Sequence, residues 1–238
     1  MEKTLIIIPT YNEKDNIEDL IFTVFQTVKK FPADILVIDD NSPDGTGDII
    51  ANLMKKQYSK RLFLIKRKSK MGLGTAYIKG FKWGLERDYD IFIEMDADFS
   101  HNPSYLPAML KQSRSYDFII GSRYVKYGGV EGWTNLRKFI SRGGSLYAKT
   151  ILFCPIRDLT GGYNLWKREV LKSIDLDNII SEGYSFQIEM KYRAFKKGYL
   201  FYEFPIIFED RTIGQSKMSR KIVLEAIIAV WKLKIFLG

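Results

Sequence analysis

The stretch YDIFIEMDADFSHNP, residues Tyr89 to Pro103, decides the fold that we predict for this chain. Residues 91–95 form a short apolar and β-prone run, which indicates a buried strand. The run ends in Asp96 and Asp98. Residues two apart in an extended segment point to the same side, so both carboxylates can face one point in space. Two like charges at a strand end favour a bridging cation, and hard oxygen ligands suit Mg²⁺ or Mn²⁺.

This acidic stretch has a functional and a structural interpretation. A metal with few protein ligands keeps open positions for substrate phosphates, and open α/β sheets bind ligands at the carboxyl ends of their strands. We therefore predict a metal and diphosphate site here. The alternative is a polar turn in which one Asp caps the helix that begins at Pro103. His101 is a candidate metal ligand, proton carrier or support for the loop.

Strand and helix patterns alternate on both sides of this stretch. Apolar runs predict strands at 4–9, 34–39, 61–66, 89–95, 118–121 and 201–208, and helical spacing predicts helices at 16–30, 74–86 and 182–197. This alternation predicts a mainly parallel central sheet with right-handed crossovers, an α/β fold of the Rossmann-like, nucleotide-binding kind. The turn after the first strand is PTYNE rather than G-x-G-x-x-G, which argues against the dinucleotide-binding type.

Composition limits the class of protein. A length of 238 residues and a hydrophobic content of 46% allow one sizeable core. One cysteine and one histidine exclude a disulfide framework and a Cys/His zinc site, and they fit a reducing compartment. The formal charge of +9 favours an anionic partner: lipid, nucleotide or nucleic acid. The longest apolar segment, 222–237, is interrupted by three charges, so we predict no transmembrane helix.

Acidic residues follow three of the predicted strands. Glu13 and Asp40 follow the first two, and the pair at 96 and 98 follows the fourth. The carboxyl ends of parallel strands share one edge of the sheet, so we expect these acids to line one cleft. Asp40 suits hydrogen bonding to a base or ribose, and Tyr11 offers an aromatic face for a base.

Two segments of the second half are both basic and apolar. Residues 133–152 form a basic amphipathic pattern that suits either a membrane surface or an ordinary surface helix. The segment 218–238 is dense in apolar residues and contains Trp231, so we predict an amphipathic helix at the membrane interface beside a catalytic domain of residues 1–217. A core helix is the alternative.

Several motifs together indicate a family. IIIPTYNE, VIDDNSPDGT, KMGLGTAYIKGF, MDADFSHNP, GSRYV and GQSKMS occur in this order from Leu5 to about Met218. This combination resembles the family 2 glycosyltransferases, and within them the dolichol- or polyprenol-phosphate mannose synthases. The resemblance implies a GT-A fold, GDP-mannose as donor, Mg²⁺ or Mn²⁺ as cofactor, and transfer of mannose with inversion to a polyprenyl or dolichyl monophosphate. It also implies a peripheral location on the cytoplasmic membrane face, with a small membrane subunit as a partner in some relatives.

The resemblance also implies roles for individual residues. Nucleotide contacts are implied for Pro9, Tyr11, Glu13, Ile38 and Asp40, and contacts with the sugar diphosphate for Asp96, Ala97 and Asp98, the two aspartates also being metal ligands. Phosphate binding is implied for Arg123, Arg211 and Lys217, which with Asp98 are the predicted catalytic residues, and for Arg137 and Ser141. Ser100 stands where some relatives have a glutamine that assists the metal.

Two other functions compete with this prediction. One is the same chemistry with UDP-glucose as the donor. The other is a basic nucleic-acid-binding module, suggested by lysines interleaved with aromatic residues between 79 and 83. Helical spacing explains these residues more simply, and no RRM, KH or helix-turn-helix pattern is present, so we predict no nucleic acid partner.

Overall fold

A computed structural model describes residues 2–181, 183–210 and 220–237. The strands in these residues are β1 (Thr4–Thr10), β2 (Ala33–Asp39), β3 (Leu62–Lys66), β4 (Ile91–Glu94), β5 (Phe118–Ser122), β6 (Gly129–Glu131), β7 (Asn164–Lys167), β8 (Phe201–Pro205) and β9 (Ile207–Glu209). The helices are α1 (Ile17–Thr27), α2 (Thr46–Lys56), α3 (Leu73–Leu85), α4 (Leu106–Gln112), α5 (Asn135–Leu152), α6 (Arg168–Ser173), α7 (Gly183–Lys196) and α8 (Arg220–Leu237). Single 3₁₀ turns lie at Pro103–Tyr105 and Leu176–Asn178.

The central sheet has seven strands in the order β3-β2-β1-β4-β7-β5-β8. Six of them run parallel, and β7 runs antiparallel between β4 and β5. The chain adds strands on one side of β1 up to β3 and then returns to place β4 on the other side. Ligands bind at such a switch point in open α/β sheets, outside the carboxyl ends of the strands. The predicted mainly parallel α/β fold is confirmed.

Strand β1 shows why this sheet forms. Its apolar run is buried on both faces, as expected for a central parallel strand. Leu5 and Ile7 pack into the hydrophobic core beneath α3, α5, α6, α7 and α8, whereas Ile6 and Ile8 pack into the core beneath α1, α2 and α4. The alternation of side chains along the strand therefore builds two cores from one short sequence.

One strand prediction in the second half is wrong, and two short strands there were not predicted. Strand β7, which follows the loop at 158–163, was not predicted. The predicted strand 201–208 is divided in two: β8 pairs with β5, and β9 pairs with the unpredicted β6. Pro205 lacks an N–H donor, which favours the end of a strand at this point.

Helix α8 packs on the body of the protein along one stripe. Val230 and Leu233 are buried in the core shared with α5 and α7, and the Tyr147 hydroxyl donates to the Ile227 carbonyl at 3.4 Å. Trp231 lies on the exposed side of the same helix. No helix within the described part of the chain is long and apolar enough to cross a membrane.

Candidate active site

The carboxyl ends of β2, β1 and β4 lie side by side. Thr10 pairs with Asp39 at the ends of β1 and β2, and Glu94 at the end of β4 pairs with Ile7. A residue with a left-handed backbone follows each strand: Asn12 (φ 61°), Asn41 (φ 58°) and Phe99 (φ 62°). Asparagine tolerates this conformation, whereas a bulky aromatic residue adopts it under strain. Such strain concentrates at functional sites, and Phe99 directly follows Asp98.

The two aspartates of the acidic motif differ in their surroundings. Asp98 is buried, and its Oδ1 accepts hydrogen bonds from the backbone N–H of Ser100 at 3.1 Å and from its hydroxyl at 2.5 Å. The carboxylate of Asp96 is 32% exposed and accepts from the Tyr77 hydroxyl at 3.4 Å. Asp98 is thus held from within the loop, while the carboxylate of Asp96 reaches solvent.

Neither aspartate caps the turn that begins at Pro103. The cap is Asn102, whose side-chain oxygen accepts the backbone N–H of Ser104 at 3.0 Å. The alternative in which one of the two aspartates caps the helix that begins at Pro103 is therefore wrong. Both carboxylates lie outside the helix start, at the carboxyl end of β4.

His101 supports the loop that carries the two aspartates. Its imidazole is buried and stacks on the ring of Tyr163 at a centroid distance of 4.8 Å. Its Nδ1 accepts the backbone N–H of Asp96 at 3.0 Å, so this nitrogen carries no proton. Burial lowers the pKa of His101, and the neighbouring carboxylates only partly oppose the shift. A neutral imidazole that fixes the main chain fits a supporting role better than that of a ligand.

The donor set of the acidic motif fits a hard divalent cation. The described residues contain no group of three His, Cys, Asp or Glu side chains that would hold a metal by protein ligands alone. Asp96 and Asp98 supply carboxylate oxygens, the ligand type that Mg²⁺ and Mn²⁺ prefer. A cation bound by this pair would take its remaining ligands from substrate phosphates and water.

Asp40 is paired with a residue that the sequence analysis missed. Its carboxylate accepts two N–H bonds from the buried Arg67, one from Nε and one from Nη2, the latter at 2.6 Å. Arg67 also donates to the Gly72 carbonyl at 3.0 Å and to the Thr75 hydroxyl at 2.7 Å. It therefore ties the end of β2 to the start of α3. Because Arg67 directly follows β3, the rule that identified Asp40 would also have found it.

Tyr11 and Glu13 lie at the same edge, each in contact with neighbouring side chains. The ammonium group of Lys70 lies 4.3 Å from the centroid of the Tyr11 ring. The Glu13 carboxylate accepts from the Asn16 amide at 3.1 Å, and its backbone N–H donates to the Thr46 hydroxyl at 3.0 Å. Both residues are half-buried, as expected for side chains lining a cleft.

The other residues predicted to contact the donor are Pro9, Ile38 and Ala97. Ile38 is buried in the core beneath α3, and Ala97 is buried in the core on the opposite face of the sheet. Pro9 is half-buried near the end of β1. Contacts from Ile38 and Ala97 to a nucleotide sugar would therefore be made by backbone atoms.

Arg123 at the end of β5 forms a two-point ion pair with Asp158. Its Nε and Nη2 donate to the two carboxylate oxygens at 2.8 and 2.7 Å, and its backbone N–H donates to the same carboxylate at 2.9 Å. Both side chains are buried. Burial alone raises the pKa of Asp158, but the charge and hydrogen bonds of Arg123, together with the charge of Lys191, hold it below its usual value.

Two residues of α5 complete a group with Arg123. Ser141 accepts a hydrogen bond from the hydroxyl of Tyr124, the residue after Arg123, at 2.7 Å. Arg137 donates to the carboxylate of Asp210 at 2.7 Å. The fold thus brings together the three predicted phosphate-binding residues Arg123, Arg137 and Ser141, which we call the arginine group. The other two, Arg211 and Lys217, lie outside the described residues.

Lys191 holds the loop that carries Asp158. This lysine of α7 is completely buried, and its Nζ donates to the carbonyls of Asp158, Leu159 and Gly161 at 3.1, 3.2 and 2.6 Å. Burial lowers the pKa of Lys191 to about 8, although nearby carboxylates, Asp158 first among them, oppose the shift. Sequence reasoning missed Lys191 because the helical pattern explains it as one more residue of α7.

A cluster of buried polar side chains lies between β4, β7 and α7. The Asn164 amide donates to the Glu94 carboxylate at 2.6 Å and to the Gln187 side-chain oxygen at 2.8 Å. Burial raises the pKa of Glu94 to about 7, against the opposing effect of the Asn164 hydrogen bond. These contacts join β4, β7 and α7, and so fix the elements from which the acidic motif and the Asp158 loop extend.

Phe208 connects the acidic motif with the arginine group. Its ring packs edge-to-face against His101 at 5.6 Å and against Trp133 at 5.4 Å. The guanidinium carbon of Arg123 lies 5.7 Å from the centroid of the same ring. The carboxylates and the guanidinium groups therefore belong to one region at the carboxyl edge of the sheet.

Comparison with known proteins identifies the family. The sequence profile of the family described as Glycosyl transferase family 2 matches residues 5–175. The chain belongs to glycosyl transferase family 2. This confirms the resemblance derived from the motifs. Among curated relatives of this family 2 glycosyltransferase, undecaprenyl-phosphate mannosyltransferase of Micrococcus luteus is 46% identical over 96% of the chain and 92% of the relative. Polyprenol monophosphomannose synthase of Mycolicibacterium smegmatis is 42% identical over 98% of the chain and 88% of the relative.

Solved structures confirm the GT-A fold of this family 2 glycosyltransferase. Glucosyl-3-phosphoglycerate synthase of Mycobacterium tuberculosis in complex with Mn²⁺, UDP and phosphoglyceric acid superposes with a TM-score of 0.70 at 16% identity, over 99% of this chain and 79% of that chain. Its complex with Mg²⁺ and UDP gives a TM-score of 0.69 over 98% of this chain and 79% of that chain, also at 16% identity. At this identity the similarity describes the fold.

Proposed function

We propose that this family 2 glycosyltransferase transfers mannose from GDP-mannose to a polyprenyl or dolichyl monophosphate, with inversion, giving the lipid-phosphate mannose and GDP. The observation that carries the proposal is a chain of contacts that links the acidic motif with the arginine group. Phe208 contacts His101, which supports the loop of the two aspartates, and it also contacts Arg123 and the Trp133 ring over which Arg137 lies. The two curated relatives, which match nearly the whole chain, are named for mannose and for a polyprenol phosphate. An acid pair suits the metal–diphosphate end of the donor, and arginines suit the acceptor phosphate.

Asp96 and Asp98 would hold a Mg²⁺ or Mn²⁺ ion. When bound, that ion supplies positive charge that stabilises the departing diphosphate. Two neighbouring residues hold the motif in place by hydrogen bonds. Ser100 donates to the carboxylate of Asp98, and His101 accepts the backbone N–H of Asp96. The solved structures of the fold relative contain Mn²⁺ or Mg²⁺ together with UDP, which supports a divalent cation bound together with the nucleotide in this proposal.

The nucleotide of the donor lies along the ends of β1 and β2 in this proposal. Asp40, oriented by Arg67, accepts hydrogen bonds from the base or ribose with its remaining lone pairs. Tyr11 and Glu13 line the same side, and Pro9 and Ile38 contribute main chain. The sugar then points from the acidic motif towards the loop that carries Asp158.

The arginine group positions the acceptor. A phosphate monoester is an anion near neutral pH, with a second pKa of about 6, so its oxygen attacks without a general base. A bond forms between this oxygen and the anomeric carbon, and the bond from that carbon to the diphosphate oxygen breaks, with the electron pair leaving on GDP. Arg123 and Arg137, with Ser141, Arg211 and Lys217, hold the phosphate in line.

In this proposal a surface formed by α5 and α8 contacts the membrane. Its exposed apolar side chains are Leu136, Phe139, Leu146, Ile228, Trp231, Ile235 and Phe236, and its exposed basic side chains are Lys138, Arg142 and Lys232. We call this set the α5–α8 surface. Apolar residues that enter the acyl boundary beside cations that meet headgroups are typical of peripheral membrane helices. In this proposal the chain lies on the cytoplasmic membrane face, with residues 1–217 as catalytic unit, and a small membrane subunit is a further candidate for this surface.

A transfer assay tests the proposed function. Purified protein is incubated with GDP-mannose and a polyprenyl phosphate, with Mg²⁺, with Mn²⁺ or with a chelator, and the mannosylated lipid is detected by mass. UDP-glucose in place of GDP-mannose is the competing donor. Metal-dependent transfer of mannose with no transfer of glucose supports the proposal, whereas glucose transfer alone, or no transfer from either donor, contradicts it.

A further inference from the structure

Trp133 contacts both arginines of the arginine group. It immediately precedes the N-cap of α5 and is 8% exposed. The guanidinium carbon of Arg137 lies 4.1 Å from the centroid of its ring, and that of Arg123 lies 5.6 Å from it. Both distances are within the range of cation–π attraction, which is strongest for tryptophan and for sites removed from water. One indole thus contacts two guanidinium groups.

The two arginines are oriented by carboxylates from separate parts of the fold. Arg123 pairs with Asp158 in the loop before β7, whereas Arg137 pairs with Asp210 after β9. Two guanidinium groups repel each other at short range. Trp133 touches both of them, and its negatively polarised faces offset part of this repulsion. It is therefore suited to keep the two cations close together while each retains its own carboxylate.

The ring of Trp133, rather than its N–H, makes these contacts. The indole Nε1 is buried and has no hydrogen-bond partner among the described residues. The Phe208 ring makes a T-shaped contact with the same indole. It makes a second T-shaped contact with His101, which supports the acidic motif. A phenylalanine at position 133 would keep an aromatic face without losing a hydrogen bond, whereas a leucine would keep apolar volume and lose the π system.

We propose that Trp133 is a positioning residue that holds Arg123 and Arg137 side by side, so that both can bind the phosphate of the acceptor. The inference rests on the function proposed above, because it assigns the acceptor phosphate to these two arginines. Trp133 does not itself touch the phosphate in this proposal. It sets the spacing of the two cations that do, and so determines affinity for a doubly charged phosphate monoester.

The test compares Trp133→Phe and Trp133→Leu in the full chain. We expect Trp133→Leu to raise the KM for the acceptor about tenfold and Trp133→Phe to raise it about threefold or less, with the KM for the donor unchanged in both. Trp83→Leu is the matched control. Trp83 lies on α3, outside the arginine group, and the guanidinium carbon of Arg87 lies 3.9 Å from the centroid of its ring. This variant should leave both KM values unchanged.

Binding of a short-chain polyprenyl phosphate, measured by calorimetry, separates this inference from the proposed function. If the wild-type chain binds this lipid but transfers no mannose, the proposed function fails, while the ratio of the dissociation constants of the two variants still decides the role of Trp133. Three results would overturn the inference. The Phe and Leu variants bind the lipid phosphate equally weakly, the substitutions change the KM of donor and acceptor equally, or the wild-type chain does not bind the lipid phosphate. Thermal unfolding identifies a misfolded Leu variant, and Trp133→Tyr then takes its place: acceptor affinity within about threefold of wild type supports the inference, and a larger loss overturns it.

Discussion

Arg123 and Asp158 form a buried ion pair that joins the end of β5 to the loop before β7. The two side chains share two hydrogen bonds and are almost completely removed from solvent. Removing one partner of such a pair leaves the other as an uncompensated buried charge, which costs more than the loss of an exposed pair. The pair therefore links the stability of the fold to the orientation of a predicted phosphate ligand.

Replacing Asp158 with alanine tests this link. We expect Asp158→Ala to lower the free energy of unfolding by about 3–5 kcal/mol, because the guanidinium of Arg123 stays buried without its carboxylate. Urea unfolding at neutral pH measures the change. The control is Glu169→Ala, which removes an exposed partner of Lys172 and should cost less than about 1 kcal/mol. Similar costs for the two variants would contradict the view that this ion pair is a main support of the site.

The same pair predicts a dependence of stability on pH. The pKa of Asp158 in the fold lies below its ordinary value of 3.8, so its charged form stabilises the fold above that pH, and the contribution is lost as pH falls through the folded pKa. We expect the difference in unfolding free energy between wild type and Asp158→Asn to be largest near neutral pH and to shrink as the pH falls below about 4. A difference that stays constant over this range would show that the charge of Asp158 contributes nothing.

The parts of the fold that the sequence predicts are those encoded by neighbouring residues. The apolar runs at 4–9 and 91–95 predict two strands, and the polar residues after each run mark where the strand ends. Both signals are local patterns in the sequence. The adjacency of the two strands in the sheet follows from the connection rules for parallel strands. Asp40, Asp96 and Asp98 were found in this way, and the structure places all three at the carboxyl edge.

The parts that the sequence does not predict depend on partners far apart in the chain. Asp158 meets Arg123 across 35 residues, and Lys191 meets the Asp158 carbonyl across 33. Nothing in the spacing of either segment indicates its partner. Strand β7 was missed for a related reason: it is a four-residue strand inserted antiparallel between β4 and β5, so its burial depends on strands that lie elsewhere in the chain.

The carboxylate of Asp98 should be essential for turnover and dispensable for folding. Asp98→Asn keeps the size of the side chain and an oxygen for the Ser100 hydrogen bonds, but it removes the charge that a divalent cation needs. We expect a fall in kcat of about 100-fold or more at saturating Mg²⁺ or Mn²⁺, with little change in thermal unfolding. Asp48→Asn, on the exposed side of α2, is the control and should retain full activity. Transfer that persists in Asp98→Asn, or in the wild type after chelation, would contradict the metal assignment.

Arg67 should affect the donor and leave the acceptor unaffected. Lysine cannot reproduce the two-point contact with Asp40 or reach the Gly72 carbonyl and the Thr75 hydroxyl at once. We expect Arg67→Lys to raise the KM for the nucleotide sugar about tenfold without changing the KM for the acceptor, as measured by initial rates. The control is Arg61→Lys, at the amino end of β3, away from the cleft. A rise in the acceptor KM would instead place Asp40 near the lipid phosphate.

The α5–α8 surface should determine binding to anionic vesicles. Phe139 and Trp231 are exposed on the two helices, and replacing either with glutamate removes apolar area and adds a charge that anionic headgroups repel. We expect Phe139→Glu and Trp231→Glu each to weaken binding at least about tenfold. Phe22→Glu is the matched control, because Phe22 is similarly exposed on α1, which covers the opposite face of the sheet. Sedimentation with vesicles of mixed neutral and anionic lipid measures the difference, and equal loss in all three variants would assign the effect to net charge instead of to this surface.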